Sequence, residues 1–376
     1  MQKSYRPWML CCGLLLLIGG THSQLRNAHA AQAAASTEEA TQVSALVEKG
    51  IGFLESTQAA NGSFSEDAGT GVTSLVVTAL LRNGLSPEEP IAAKALKFLE
   101  GYVQPDGGIN QPGSTHRNYE TCLAVVAFHE ANKDGKYDDL IAKAEAYIKN
   151  EQWDQGEGIE PSQESYGGSG YGSHSRPDLS NTAFLIDTLH TLGRGDDDPA
   201  IQRALIFVSR CQNLKTKYND TKYADLNPDG GFYYTIAAGG SSQAGSEEDG
   251  GLRSYGSMTY AGLKSMIFAG VKADDPRVQA AYEWAQKHYT LGENPGMGES
   301  GLYYYFHTFA KSLDAVGKPE FVDDSGKSHD WKQELVAEFA KRQQPDGSWV
   351  NTNQRWLEGD PNLVTGYVLL AISYCQ

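Results

Sequence analysis

The hydrophobic and polar positions of the chain form two kinds of helical pattern that alternate along its length. One kind is an almost entirely apolar stretch, such as TSLVVTALLRNG at 73–84 and TYAGLKSMIFAG at 259–270. Apolar residues cover most of the circumference of such a stretch, which predicts a helix that is buried on nearly all sides. The other kind carries Lys, Arg and Glu on one face, which predicts a half-exposed helix in an outer layer.

The apolar stretch recurs six times, and a fixed residue opens it. The six first positions are Thr73, Thr121, Thr182, Thr259, Phe306 and Thr365. Five of the stretches end in Gly or Asn, the usual left-handed stop of a helix. An acidic residue followed by Pro then begins an outer helix, for example at Glu89-Pro90, Asp198-Pro199 and Asp275-Pro276, where the acid caps the helix and Pro loses no hydrogen bond.

A Gly-rich turn followed by an apolar residue lies between the outer and the inner helix of each unit. These turns are NGSF (61–64), PDGGI (105–109), DQGEG (154–158), PDGGF (228–232), NPGMGESG (294–301) and PDGSW (345–349). The end repeats look like the middle ones, whereas an open stack needs polar capping repeats. The sequence therefore predicts an all-α fold, an α6/α6 toroid of six helical hairpins closed into a ring.

The charge balance excludes one class of partner. The 31 basic and 47 acidic residues give a formal net charge of −16, which repels nucleic acid. Hydrophobic residues make up 40% of the chain, which excludes a disordered tail protein. Beyond the N-terminal region, the cysteines are Cys122, Cys211 and Cys375, and the sequence leaves open whether they are buried thiols or form one disulfide.

Residues 1–30 are typical of a secretory signal peptide. Lys3 and Arg6 precede an apolar stretch from Trp8 to Ile18, and Ala28-His29-Ala30 is a small-residue cleavage site. We therefore predict export to the periplasm or the extracellular space after cleavage near Ala30, with a single toroid domain at 31–376. No transmembrane segment is predicted, because no stretch reaches the roughly 20 apolar residues that one needs.

Two of the turns carry a spacing that is typical of a known family. QAANGSF (58–64) and QQPDGSW (343–349) resemble the QW-type repeat of squalene/hopene cyclases and of the β subunits of protein prenyltransferases. The resemblance implies the α6/α6 toroid of that superfamily, whose members bind isoprenoids in a funnel lined by the first turns of the inner helices. It is stronger evidence for the fold than for the activity.

The chemistry of that family is only partly present. The DxDD motif with which hopene-type cyclases protonate an alkene is missing, and Asp196-Asp197-Asp198 falls where the other repeats have a helix cap. The positions that correspond to the prenyltransferase zinc ligands hold Asp178, Ser180 and Met258, without the thiolate and imidazole that zinc prefers. We therefore expect no metal and no other cofactor.

The candidate site residues lie just before or at the beginning of the inner helices. Glu120 and Asp178 are the candidate catalytic acids, and for both the alternative is that the carboxylate caps its helix. The candidate ligand-binding residues are Asn181, Arg253, Tyr255, Tyr303, Tyr305, His307, Trp349 and Asn362. The alternative for Arg253 is an ion pair with Glu247, Glu248 or Asp249, and for His307 a buried position in the inner wall.

Three functions fit this arrangement. The leading hypothesis is an exported squalene cyclase-like or prenyltransferase-like protein that binds, and is a candidate to transform, an isoprenoid or other hydrophobic ligand in a central cavity. The alternative is a non-catalytic scaffold that binds a glycan or a protein on the same toroid. A third is polysaccharide cleavage, which needs two carboxylates facing each other across a groove. Whether the protein is an enzyme is left open by the sequence.

Overall fold

A computed structural model describes residues 41–172 and 176–376. The predicted signal peptide at 1–30 lies outside the described residues, as do residues 31–40 of the predicted domain. Residues 41–45 are helical and belong to an N-terminal unit, and residues 46–376 form a second compact unit. Among the described residues, no helix is both long and apolar enough to span a lipid bilayer.

The described part of the second unit contains twelve α-helices. They are α1 (46–57), α2 (Gly71–Arg82), α3 (Pro90–Glu100), α4 (Arg117–Ala131), α5 (Asp138–Asn150), α6 (Leu179–Thr191), α7 (Pro199–Arg210), α8 (Gly256–Phe268), α9 (Pro276–Lys287), α10 (Leu302–Val316), α11 (Trp331–Arg342) and α12 (Pro361–Ser373). A short antiparallel hairpin between α10 and α11 pairs β1 (Phe321–Val322) with β2 (Ser328–His329), with Phe321 opposite His329.

The even-numbered helices form a closed inner ring. Each of them contacts the next even-numbered helix, and α12 contacts α2. The odd-numbered helices lie outside this ring, as α3 does against α2 and α9 against α8. The prediction of an α6/α6 toroid of six hairpins is therefore confirmed.

In five of the six repeats, the Thr that opens the apolar stretch fastens the preceding segment to the inner helix. Thr121 Oγ1 accepts a hydrogen bond from the Ile109 backbone N–H at 2.9 Å and donates to the Arg117 carbonyl at 2.6 Å. The same backbone-to-hydroxyl bond is made to Thr73, Thr182, Thr259 and Thr365. It holds the residue after the turn, such as Phe64 or Trp349, fully buried between the two layers.

In four of the six repeats, a Gln before the turn connects the repeat to the next one along the ring. Gln212 Nε2 donates to the Gly230 carbonyl in its own turn and to the Arg277 carbonyl at the beginning of α9, both at 2.9 Å. Gln343 Nε2 donates likewise to the Gly347 carbonyl at 3.0 Å and to the Leu46 carbonyl at 3.1 Å. This last pair of hydrogen bonds joins the sixth repeat to the first and closes the ring.

The turn itself needs glycine because its backbone lies against a neighbouring outer helix. Gly347 has a φ of +91°, and a Cβ atom there would lie 2.3 Å from the Lys49 carbonyl oxygen. Gly62 is equivalent in the first repeat, with a φ of +93° and 2.2 Å to the Lys94 carbonyl oxygen. Any larger residue would meet both the left-handed backbone and the clash.

Candidate functional site

A cavity of about 390 Å³ lies at the Gly-rich end of the inner ring, where the inner helices begin. All six inner helices contribute to its wall at the same position, two residues before the residue that opens each apolar stretch. These residues are Gly71, Tyr119, Ser180, Ser257, Tyr304 and Leu363. The repeat therefore aims one face of every inner helix at the cavity.

The same face continues down the barrel in layers. Residues four and seven positions later lie on that face of an α-helix. Phe184 and Tyr367 are four later and still line the cavity. Seven later, Asp187, Lys264 and Lys311 form a charged layer on α6, α8 and α10. The barrel interior thus changes from aromatic at the mouth to charged below it.

Nine of the twenty described residues that line the cavity are aromatic. The aromatic residues that line it are His116, Tyr119, Tyr171, Phe184, Tyr234, Tyr255, Tyr304, Trp356 and Tyr367. Tyr119 meets Phe184 edge to face at a centroid distance of 5.1 Å and meets Tyr171 at 6.1 Å. Burial raises the pKa of Tyr171 to about 12 and those of Tyr304 and Tyr367 further, so these hydroxyls are neutral near pH 7. Such a wall suits an apolar ligand or a cation held by ring faces.

Glu120 lines the cavity from the first turn of α4. Its carboxylate accepts hydrogen bonds from Ser114 Oγ at 2.5 Å, from Thr70 Oγ1 at 3.1 Å and from the Gln111 backbone N–H at 3.1 Å. The loop before α4 and the residue before α2 therefore both donate to one buried carboxylate. This arrangement fixes the position of Glu120 and stabilises the turn around it.

Asp178 lies behind the cavity wall as the N-cap of α6. It accepts hydrogen bonds from the Asn181 backbone N–H at 2.9 Å and from Asn181 Nδ2 at 2.8 Å, and the Tyr234 hydroxyl donates a third. Burial raises the pKa of Asp178 to about 6, although these donors oppose the shift. Asp178 does not line the cavity itself, but the Tyr234 ring that contacts it does.

Tyr255 is the other predicted residue that lines the cavity. Asn181 is buried beside Asp178 and holds its carboxylate. Arg253 is exposed and pairs with Glu247 at 2.9 Å, which is one of the two roles weighed for it from the sequence.

The remaining predicted ligand contacts lie elsewhere in the inner layer. Tyr305 is buried, and its hydroxyl donates to the Thr290 carbonyl at 2.7 Å. Tyr303 is also buried, and its hydroxyl donates a long hydrogen bond of 3.5 Å to the Val350 carbonyl. Trp349 is the buried residue after the sixth turn, and its Nε1–H donates to the Phe339 carbonyl at 2.8 Å. Asn362 donates to Ser65 Oγ at 3.0 Å. His307 faces the charged layer below the cavity.

Glu358 is a cavity carboxyl group that the sequence analysis missed. It is buried in the loop before α12 and accepts hydrogen bonds from the Tyr304 backbone N–H at 2.8 Å and from Asn351 Nδ2 at 2.7 Å. Burial raises its pKa. Nothing in the local sequence marks Glu358, because the sixth turn and the fifth inner helix meet only in the folded ring.

The missed aromatic residues did carry a sequence signal. Tyr119 and Tyr304 stand two residues before a repeat opening, and Phe184 and Tyr367 stand two residues after one. Helical geometry places these positions on one face, so reading the six repeats in register identifies them.

The described part of the chain contains no candidate metal site and no disulfide. Within residues 41–172 and 176–376, no three His, Cys, Asp or Glu side chains are grouped so that they could hold a metal ion. Cys122, Cys211 and Cys375 are free thiols, and the first two are buried.

A closed ring of six inner and six outer helices around an aromatic cavity defines an α/α toroid of the terpenoid cyclase kind. The squalene-hopene cyclase C-terminal domain family matches residues 67–236. No curated protein matches the sequence. The family match spans less than half of the chain, and together with the closed ring it supports the squalene cyclase/prenyltransferase-like superfamily that the turns indicate.

Solved structures support the fold at low sequence identity. A variant of the type II terpene cyclase MstE from Scytonema, in complex with its substrate geranylgeranyl dihydroxybenzoate, is 15% identical with a TM-score of 0.56, and the match covers 90% of this chain and 99% of that one. MstE without ligand is also 15% identical, with a TM-score of 0.53 and coverage of 89% and 97%. A protein from Actinoplanes is 14% identical, with a TM-score of 0.52 and coverage of 89% and 99%.

Proposed function

We propose that this protein binds an isoprenoid or another hydrophobic ligand in the aromatic cavity. The observation that carries the proposal is the cavity itself, which has about 390 Å³ of space and walls of aromatic rings from the inner helices. Ligand pockets are typically apolar clefts of about 300–1,000 Å³ with a few polar groups that fix the orientation. Here Glu120, Glu358, Ser180 and Ser257 supply those groups. The isoprenoid substrate of MstE, which shares the fold, supports the same ligand class.

Transformation of the ligand is a second part of the proposal. Glu120 touches the cavity directly, and Asp178 reaches it through the Tyr234 hydroxyl. Because its pKa is about 6, Asp178 is protonated in a fraction of the protein molecules near neutral pH, as a proton donor must be. The ring faces of Tyr119, Phe184 and Tyr304 would stabilise a positive charge that forms on the ligand.

The binding experiment uses a pair of matched variants. Ala68 lines the cavity from a 3-10 turn (Glu66–Ala68), and Ala59 is exposed in the preceding turn. Calorimetric titration with farnesol should give one site per chain for the unmodified protein and for Ala68→Trp at least a tenfold loss of affinity, because the indole fills the cavity. Ala59→Trp should bind as the unmodified chain does. Equal affinity of all three proteins for farnesol would show that farnesol does not bind in this cavity.

A separate experiment addresses turnover. The protein is incubated with farnesol, geranylgeraniol and squalene, and the products are analysed by gas chromatography with mass spectrometry. A cyclised product that disappears in Asp178→Asn or Glu120→Gln, with farnesol affinity retained, would assign the proton donor. Unchanged turnover in both variants would reject these roles.

One observation favours the glycan- or protein-binding alternative. Trp356 is 44% exposed at the rim of the cavity, and Trp356 and Leu357 both have a left-handed backbone, with φ of 55° and 66°. Non-glycine residues in this region cost free energy and often present a side chain for function. Binding of a soluble glycan that is lost in Trp356→Ala, together with failure to bind farnesol, would favour this alternative.

Export is proposed from residues 1–30 alone. N-terminal sequencing of the protein from the periplasmic or extracellular fraction should begin at Ala31. An unprocessed chain that stays in the cytosol would contradict the proposal.

A further inference from the structure

A buried group of charges lies directly below the aromatic cavity. Asp187 on α6 pairs through one carboxylate oxygen with Lys264 on α8, and through the other with Lys311 on α10 at 2.8 Å. The side chains of all three residues are at least 88% buried. These charges occupy the same register position on three consecutive inner helices.

The charges of this group do not balance. Two ammonium groups share one carboxylate, and the neighbouring Arg82 already pairs with Glu130 at 2.7 Å. Burial lowers the pKa of His307 well below its usual value, so the imidazole is neutral and adds no charge. Burial lowers the pKa of Lys264 to about 8 and also lowers that of Lys311, against the opposing effect of Asp187. A buried cation without its own counter-ion is costly, and an anion beside it relieves that cost.

A second observation points to a ligand at this position. His307 is buried, and its Nδ1 atom has no hydrogen-bond partner among the described residues. It lines a small void together with Asp187, Lys264 and Lys311. The void measures about 10 Å³, which is roughly the space of one water molecule.

The void adjoins the aromatic cavity. Ser180, Phe184 and Tyr304 line both spaces. The Ser180, Phe184 and Tyr304 side chains therefore lie between the two spaces, and the end group of a linear molecule in the cavity reaches the lysines where it displaces the hydrogen bond between Ser180 and Tyr304. The void has room for about one oxygen atom, so a carboxylate places one of its oxygens there, whereas a tetrahedral phosphate is too large.

We infer that the lysine pair and His307 form a subsite for a carboxylate, and that the ligand of this protein is an amphiphile with an acidic end group and an apolar chain. The carboxylate oxygen lies between Lys264, Lys311 and His307 Nδ1, and the chain extends upward along the aromatic wall. The inference rests on the proposed binding function and adds the head group and the orientation of the ligand.

The test compares an acid and an alcohol that share one chain. Farnesoic acid and farnesol are titrated into the full mature protein, into Lys311→Met and into Lys341→Met, an exposed control. Lys311→Met leaves Asp187 and Lys264 as a balanced pair, so the fold should be retained. Lys264→Met, which leaves the other balanced pair, is the second variant if Lys311→Met does not fold.

The expected result is that the unmodified protein and Lys341→Met bind farnesoic acid at least tenfold more tightly than farnesol. In Lys311→Met the two affinities should become equal, because farnesol binding does not change and acid binding weakens. Equal binding of acid and alcohol by the unmodified protein would overturn the inference and leave the proposed function standing. Failure of both compounds to bind would overturn the proposed function as well.

A free carboxylate could fill the same subsite. Sodium acetate at 100 mM should weaken farnesoic acid binding by competition and leave farnesol binding unchanged, as expected for a subsite that takes the head group. Acetate could also raise the melting temperature of the unmodified protein but not that of Lys311→Met, while the unmodified protein binds farnesoic acid no more tightly than farnesol. That result would assign the site to a free ion and overturn the inference of an amphiphilic ligand.

Discussion

Ser180 Oγ and the Tyr304 hydroxyl oxygen lie 2.9 Å apart, at the boundary between the aromatic cavity and the charged layer below it. Ser180 is on α6 and Tyr304 is on α10, so the hydrogen bond connects two inner helices that are not neighbours in the ring. The pair forms part of the cavity floor and determines how deeply a ligand extends into the barrel.

Replacing Tyr304 should therefore change the preferred ligand length. Tyr304→Ala removes the ring from the floor and joins the cavity to the void beside the lysines. We expect the optimum in a series of geraniol, farnesol and geranylgeraniol to move to a longer chain, measured by calorimetric titration.

Tyr304→Phe is the control, because it removes the hydroxyl and keeps the ring. It should bind as the unmodified protein does and lose about 1 kcal/mol of stability or less. The same length optimum in all three proteins would show that the floor lies elsewhere.

The ring closure and the turn chemistry follow from the sequence because they are repeated. The Thr recurs in five repeats and the connecting Gln in four, each with the same local contact, so the pattern can be recognised in the sequence. Glu358 could not be found in this way, because its hydrogen-bond partners come from segments far from it in the repeat pattern. Asp187, Lys264 and Lys311 do share one repeat position, but only the closed ring shows that their side chains meet. Asp178 lies behind the cavity wall, where it contacts Asn181 and Tyr234, and only the packing of the loops reveals these contacts.

Gln343 and its neighbour Gln344 offer a test of how the ring is closed. Gln343→Leu should reduce the free energy of unfolding by about 1–3 kcal/mol, because the Leu46 and Gly347 carbonyls lose their donor. Gln344 is exposed and donates only to the Arg342 carbonyl, at 3.3 Å, so Gln344→Leu should have little effect. Urea unfolding measures both, and equal losses would show that this pair of hydrogen bonds does not hold the ring.

Asp178 should make the protein less stable as the pH rises. Its pKa is about 6 in the folded chain and about 3.9 in the unfolded chain, so between these values the folded state binds the additional proton. This stabilisation is complete below pH 4 and is lost as the pH rises through 6. Relative to Asp178→Asn, the unmodified protein should therefore lose about 2 kcal/mol between pH 4 and pH 7.

Asp198 provides the opposite case in the same experiment. It caps α7, and although burial opposes the shift, the hydrogen bond from Lys149 lowers its pKa. Relative to Asp198→Asn, the unmodified protein should gain stability as the pH rises. Urea unfolding at pH 4 and pH 7 measures both, and a pH dependence of the same sign for the two residues would contradict the assignment.

The three cysteines should be unreactive in the folded protein. Burial raises the pKa of Cys122 and of Cys375 to about 12 and that of Cys211 further, and the thiolate is the reactive form. Iodoacetamide at pH 7.5 should leave the native mature chain unmodified and add three carbamidomethyl groups in urea without a reductant. A single adduct in urea would reveal a disulfide and contradict the free thiols.

Native mass spectrometry of the mature protein with farnesol tests the ligand cavity most directly. The account predicts one farnesol per chain for the unmodified protein and for Ala59→Trp, and none for Ala68→Trp under the same conditions. A chain that takes up no farnesol and no other polyprenyl compound, or an Ala68→Trp variant that takes up as much as the unmodified protein, would contradict it.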